Sequence, residues 1–264
     1  MKISAVSTAA RATAAFTMIE IAISLAVIGF ALVAIIGVMP IGMNTQRDNR
    51  EETIINQDAA VLVSAIRNGA RGYDELTNYV TAITNYWVDF EVTPAATNVD
   101  RTGVNWYTYT RAGGRQPAGG NVPFSFGISN GFRIVGLLST PKYVDLGGGF
   151  RSNYVVASVR ALSGLAAEKA PQDNPDVVSG AFAYRMIVEN QPLPSGDGTS
   201  AYGKQLTNNL RDLRLTFRWP LSAQGRVGNG RQSFRTIVGG DVTRTNDLGH
   251  PLYFFEPRAF AFAP

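Results

Sequence analysis

The stretch Ala15-Phe16-Thr17-Met18-Ile19-Glu20 runs directly into Ile21–Met39, a segment of nineteen residues without a charged side chain. As a helix, this segment would reach roughly 28 Å at about 1.5 Å per residue, close to the thickness of the hydrocarbon core of a bilayer. It therefore predicts a membrane-spanning helix. Glu20 stands at the edge of the segment. Because an unpaired carboxylate in hydrocarbon costs on the order of a few kcal/mol, we expect Glu20 to have a function.

The motif F-T-M-I-E at Phe16–Glu20 follows a short leader and precedes the apolar segment. In this arrangement the chain resembles type IV pilins and type II secretion pseudopilins, whose class III signal has the pattern F-T-[LM]-[IVL]-E. The resemblance covers roughly Ala12–Gly69. It implies that a prepilin peptidase cleaves after Ala15, where the family usually has glycine, and methylates the new amino terminus at Phe16. It also implies that Glu20 meets the free N-terminal amine of a neighbouring subunit during assembly.

Two other interpretations of the N-terminal region stay open. A secretory signal has an apolar core of about 7–15 residues and a small-x-small exit, whereas this core is longer and ends at Val38–Gly42, a poor cleavage site. The other interpretation is a plain signal anchor in which Glu20 is incidental. The cations Lys2 and Arg11 precede the helix without an acidic residue, which favours a cytoplasmic N-terminus.

The length of 264 residues allows an anchor and one sizeable globular domain. Removal of the leader with its two cations leaves 22 basic against 20 acidic residues, so the net charge falls from +4 to +2. That excess is too small to indicate a nucleic-acid partner. The chain has no cysteine, which excludes disulfides, thiol catalysis and cysteine–metal sites. The head must therefore be held together by core packing or by some other cross-link.

The sequence predicts three regions: a leader at residues 1–15, a transmembrane and stalk helix at 16–70, and a globular head at 71–264. Gly37 and Pro40 interrupt the apolar helix, and because proline removes a backbone donor we expect a kink or local unwinding there. The alternative is that the spanning helix simply ends at this point.

An apolar stripe continues the helix towards the head. Ile55, Ala59, Leu62 and Ile66 are spaced by 4, 3 and 4 residues, which places them on one side of a helix. We expect this stripe to be the surface on which the head packs.

The expected fold class is α+β, a long N-terminal helix packed on a mainly antiparallel β-sheet head, as in pilins. Tyr73–Asn85 predicts weak helix or irregular structure, followed by loops through Pro123. The candidate strands are Arg133–Leu138, Tyr154–Leu162, Ala181–Val188, Leu213–Trp219, Ser233–Val238 and Leu252–Phe262. The clearest is Leu213–Trp219, whose alternation places Leu213, Leu215, Phe217 and Trp219 towards a core and which we expect Pro220 to end.

No catalytic motif is present, and we expect the protein not to be an enzyme. The single histidine, His250, has no accompanying nucleophile motif, and no P-loop, dinucleotide fingerprint or H-E-x-x-H occurs. We expect no cofactor. Asp173-Asn174-Pro175-Asp176 contains oxygen ligands that suit calcium, but it lacks the spacing of an EF-hand.

Aromatic residues are frequent in the first part of the head. They are Tyr86, Trp87, Phe90, Trp106, Tyr107, Tyr109, Phe124 and Phe126. Core packing is the favoured explanation, and a sugar- or DNA-binding face formed with Arg111 and Arg115 is the alternative.

The resemblance implies a structural subunit of a pilus-like or pseudopilus filament, whose partners are the prepilin peptidase, other pilin-like subunits and the bacterial inner membrane. It implies a single-pass protein with its head in the periplasm or on an extracellular filament. This function requires no nucleic-acid partner. The alternative function is a displayed binding module, an adhesin or a receptor for DNA or a secreted substrate.

Overall fold

The structure is a computed structural model that describes residues 16–69, 73–92, 99–101, 103–116, 122–124, 127–163, 182–193, 200–247, 249–257 and 259–262. The chain divides into two compact units, Met1–Glu52 and Thr53–Pro264. The second unit contains the head together with the helical residues from Thr53 onward.

A single helix, α1, spans Met18–Asn68. It passes through Gly37 and Pro40, so the alternative in which the spanning helix ends there is wrong, while a weak point at these residues stays a prediction. Gly69 ends the helix with a left-handed backbone, φ +69°, which glycine adopts without a steric penalty.

The apolar stripe on α1 is confirmed. Ile55, Ala59, Leu62 and Ile66 are at most 1% exposed and belong to the core of the second unit. Burial of an aliphatic side chain contributes about 1.5–3 kcal/mol, so this stripe is a large share of what fixes the last turns of α1 to the head.

A large antiparallel sheet contributes many of the other residues of that core. Its described strands are β1 (Val80–Val92), β2 (Val99–Arg101), β3 (Asn105–Thr110), β4 (Gly113–Gln116), β5 (Val122–Phe124), β6 (Tyr143–Asp145), β7 (Gly149–Arg160), β8 (Ala183–Pro192), β9 (Leu210–Leu221) and β10 (Val227–Gly239). The spatial order is β10-β9-β8-β7-β1-β3-β4-β5, with β2 paired to β1 and β6 paired to β7. A long apolar helix with an antiparallel sheet agrees with the expected α+β class.

The remaining described elements are short. They are a 3₁₀ helix at Asp74–Asn78, helices α2 (Gly131–Leu138) and α3 (Ala201–Asn209), and a separate hairpin of β11 (Asp241–Asp247) and β12 (His250–Glu256). Four predicted strands overlap β7, β8, β10 and β12, although β12 ends at Glu256, well short of the predicted Phe262.

The core-facing positions predicted for β9 are confirmed, although Thr216 between them is also buried. Leu213, Leu215, Phe217 and Trp219 are buried, whereas the intervening arginines are exposed. The expectation that Pro220 ends the strand is wrong, because β9 continues to Leu221. The pairing with β10 shifts register between Val227 and Gly230, opposite this proline. The missing N–H of Pro220 therefore falls at a bulge, where a proline is tolerated.

The strand predicted at Arg133–Leu138 is wrong, since these residues form most of α2. The side-chain oxygen of Asn130 accepts a hydrogen bond from the Arg133 amide at 3.0 Å and caps the helix. Ile134, Val135, Leu137 and Leu138 are all buried. In a short apolar run that is buried on all sides, neither the helical period of 3.6 residues nor the strand period of two is visible, so the sequence does not distinguish a helix from a strand.

The irregular structure predicted from Tyr73, with loops to Pro123, is also wrong for the described residues that form β1 to β5. Val80–Val92 is a central strand of thirteen residues. Its inward positions include the polar residue Asn85, whose amide nitrogen donates to Asn153 Oδ1 at 3.0 Å. A polar residue at a buried position conceals the alternation on which strand prediction depends.

Candidate functional site

The motif Phe16–Glu20 forms the start of α1. The backbone amide and the hydroxyl of Thr17 each donate to Glu20 Oε2 at 2.8 Å, and the Glu20 amide donates to Thr17 Oγ1 at 3.4 Å. This reciprocal pair is a capping box, in which a threonine before the helix and a glutamate three residues later satisfy each other's backbone amides. Glu20 therefore also has a role within its own chain, which the resemblance did not indicate. Ala15 lies outside the described residues.

The helix beyond Glu20 is exposed throughout its apolar part. The large apolar side chains from Ile21 to Met39 are at least 49% exposed. Among the described helices, α1 alone is long and apolar enough to cross a membrane by length and composition. A Cβ atom added at Gly37 would meet no atom within 4 Å, so packing within this chain does not require glycine at that position.

The second part of α1 is held to the head by a buried carboxylate that the sequence reasoning missed. Asp58 accepts hydrogen bonds from the Leu162 amide at 2.9 Å, the Ser163 hydroxyl at 2.6 Å and the Tyr184 hydroxyl at 3.0 Å. Burial raises the pKa of Asp58, and these hydrogen bonds offset part of that rise. Burial likewise raises the pKa of Tyr184 well above its ordinary value. The contacts tie α1 to β8 and to the end of β7.

His250 lies in an aromatic stack. Its ring centroid is 4.3 Å from that of Tyr107 and 6.0 Å from that of Tyr109, and both tyrosines are buried. Burial lowers the pKa of His250, an effect that Asp247 partly offsets, and burial raises the pKa of Tyr107 to about 12. The surroundings are those of a packed aromatic ring.

The aspartates considered for calcium, Asp173 and Asp176, lie outside the described residues. Within the described part of the chain, no group of three or more histidine, aspartate or glutamate residues is placed to hold a metal ion.

The aromatic residues of the head divide between the two sides of the sheet. Tyr107 and Tyr109 are buried on the inner face, against which α1 packs, and Trp87 packs against the same core. Tyr86 is 39% exposed on the opposite side, here called the outer face. Trp106 is directly opposite Tyr86 in the β1–β3 pair and shares that face.

The other members of the aromatic set follow the same division where they are described. Phe90 pairs with Phe150 on the outer face, and the two rings stack with centroids 4.8 Å apart. Arg111 and Arg115 are exposed. The side chains of Phe124 and Phe126 lie outside the described residues. Core packing thus accounts for only part of the set.

No protein-family model matches the chain, and no match was found among curated proteins or solved structures.

Proposed function

We propose that this chain is a structural subunit of a type IV pilus-like or type II secretion pseudopilus filament. The observation that carries the proposal is the F-T-M-I-E motif of Phe16–Glu20, which is built as a helix cap immediately before the uncharged segment Ile21–Met39. Prepilin peptidase cleaves after Ala15 and methylates Phe16. The protein then spans the bacterial inner membrane once, with its head in the periplasm, and joins other pilin-like subunits in a helical filament.

Glu20 has a second task in this filament. Both capping bonds end on Oε2, and a carboxylate with two oxygens can accept a further donor. The amine of a neighbouring subunit's Phe16 pairs with it among apolar helices, where attraction is stronger than in water. The pair sets the axial register between subunits, because any other register leaves a charge buried and unpaired.

Gly37 and Pro40 give the helix a weak point under load. Pro40 has no amide hydrogen for the carbonyl of Ile36, one turn earlier, so the helix lacks one of its bonds there. Stretching of the filament opens the helix first at this site.

The test is the identity of the mature N-terminus. Mass spectrometry of protein isolated from its native membrane should show a chain that begins with methylated Phe16. An Ala15→Gly variant, which restores the family's usual residue, should be processed at least as completely. An intact Met1 in cells with active prepilin peptidase contradicts the proposal, and a cut near Gly42 identifies a secretory signal instead.

The outer face of the sheet favours a second function for the same protein, the display of a binding surface. Tyr86 and Tyr154 are 39% and 45% exposed there. Exposed neighbouring aromatic side chains on a sheet are typical of recognition surfaces, whereas rings that serve the core are buried.

A further inference from the structure

Three arginines stand side by side on the outer face, in what is here called the arginine row. Arg218 on β9 is directly opposite Arg185 on β8 and directly opposite Arg231 on β10. Arg218 and Arg231 are exposed, and Arg185 donates to the Gly225 carbonyl at 2.9 Å. In the described part of the chain no carboxylate forms an ion pair with the row. Like charges directly opposite each other in a sheet repel.

The next charged positions on the same face are different. Arg235 contacts Asp212 at 2.8 Å, and Arg214 lies 3.8 Å from Glu189. Within the described residues, the sheet therefore places a carboxylate beside Arg235 and Arg214 but none beside the arginine row, so Arg218 and Arg231 can meet an anion. The planar guanidinium group suits phosphate in particular, because it can donate two parallel hydrogen bonds.

An aromatic line occupies the neighbouring strands of the same face. Tyr86 on β1 is directly opposite Tyr154 on β7 and Trp106 on β3, and the ring centroids of Tyr86 and Tyr154 are 6.5 Å apart. Ser158 on β7 lies one strand beyond Arg185. It is four residues from Tyr154, about 13 Å along the strand. Cations and exposed rings thus lie on one continuous surface.

We propose that the outer face binds single-stranded nucleic acid. The arginine row contacts backbone phosphates, and Tyr154, Tyr86 and Trp106 stack on unpaired bases. A sheet that presents aromatic rings beside cations is suited to this task, because stacking needs bases that no duplex holds. An acidic polypeptide would use the arginine row but give the aromatic line no partner. The proposal rests on the binding function of the outer face and does not depend on filament assembly.

The test uses the full chain in detergent micelles and a fluorescent oligothymidylate of about 15 nucleotides, a length within the range of known single-strand sites. Fluorescence anisotropy measures affinity over a series of salt concentrations. Arg218→Gln and Arg231→Gln should each weaken binding and reduce the slope of log K against log salt by about 0.7. Tyr154→Ala should weaken binding by about 5- to 150-fold, the effect of losing one stacked base.

Two matched variants serve as controls. Arg244→Gln removes the same charge from an exposed position on β11, and Tyr202→Ala removes a ring from α3 that is 71% exposed. Both should bind as the wild type does, and circular dichroism checks that each variant is folded.

Three results would overturn the proposal. The first is an equal loss of affinity in Arg244→Gln and in both row variants, which would show that net charge alone attracts the oligonucleotide. The second is wild-type affinity in Tyr154→Ala. The third is competition by polyglutamate as effective as that by unlabelled oligonucleotide, which would identify an acidic polypeptide as the partner. Incorporation into sheared filaments is measured separately, so failure of binding leaves the filament function standing.

Discussion

Two substitutions at Glu20 separate the two roles of its carboxylate. In the structure Glu20 closes the helix cap through Thr17, with both distances at 2.8 Å. In the proposed filament it also pairs with a neighbour's amine. Glu20→Gln keeps an oxygen that can accept from the Thr17 amide, since glutamine also serves at this position of a capping box, but it removes the charge. Glu20→Leu removes both the cap and the charge.

The two roles of the Glu20 carboxylate differ in the free energy that they contribute. Loss of a helix cap costs about 0.5–2 kcal/mol, which changes an equilibrium by about 2- to 30-fold. Removal of one partner from a buried ion pair costs about 3–5 kcal/mol, because the other charge stays buried and unpaired. That loss corresponds to about 100- to 4,000-fold. Incorporation of Glu20→Gln should therefore fall nearly as far as that of Glu20→Leu.

The assay compares the amount of subunit in sheared filaments with the amount left in membranes, in cells that contain the other pilin-like subunits. Thr17→Ala is the matched control, because it weakens the cap and keeps the charge, and its incorporation should fall by at most the factor for a cap. Membrane insertion should persist in all three variants. If Glu20→Gln enters filaments as well as the wild type does, the charge does not set the register, and the role of Glu20 is the cap alone.

The remaining predictions concern the head, tested on the fragment 53–264 by chemical denaturation. Asp58→Ala should lower the free energy of unfolding by about 2–6 kcal/mol, because it leaves a buried hydroxyl and a backbone amide without an acceptor; a loss below about 1 kcal/mol would contradict this. Burial raises the pKa of Asp58, so the folded state binds its proton more tightly than the unfolded state does. Relative to Asp58→Asn, the wild type should therefore gain stability as the pH falls from this raised pKa to the ordinary value of 3.8, and an opposite slope would refute the assignment. Leu215→Ala and Phe217→Ala should each cost about 2–5 kcal/mol through lost burial and a residual cavity, whereas the exposed Arg214→Ala on the same strand should cost less than about 1 kcal/mol; equal small effects would show that the core of β9 is misassigned.

The parts of the fold that could be predicted are those with a clear hydrophobic period. A helical period must extend over at least two turns, and a strand alternation over at least two pairs of residues. The stripe that includes Ile55 and Leu62 repeats at helical spacing, and Leu213–Trp219 alternates without exception, so each pattern has one solution. The segment in α2 has no such pattern, because the sheet and β12 bury it on several sides. The sequence of α2 alone does not indicate that these distant elements surround it.

The candidate sites also divide into those that could be located from local sequence and those that could not. The cap at Phe16–Glu20 could be located from sequence because all its partners lie within five consecutive residues. The burial of Asp58 could have been predicted from its position, since it lies three residues after Ile55 and four before Leu62, within the apolar stripe. A carboxylate at such a position is buried only with partners. The partners themselves are more than a hundred residues away, so no local pattern could name them.

The arginine row follows from register, which no single stretch of sequence specifies. A shift of one residue between β8 and β9 would send Arg185 and Arg218 to opposite faces of the sheet. Register is fixed on the inner face, where Met186 meets Phe217 and both are fully buried. The inner face thus imposes the alignment of the arginines, and repulsion between exposed charges in water, on the order of 1 kcal/mol or less, is too weak to resist it. A carboxylate introduced among them would gain a similarly small amount of stability and would occupy the donors that an anion needs. The core therefore sets the geometry of the outer face at little cost in stability, and the proposed recognition depends on the guanidinium groups of Arg218 and Arg231 having no carboxylate partner.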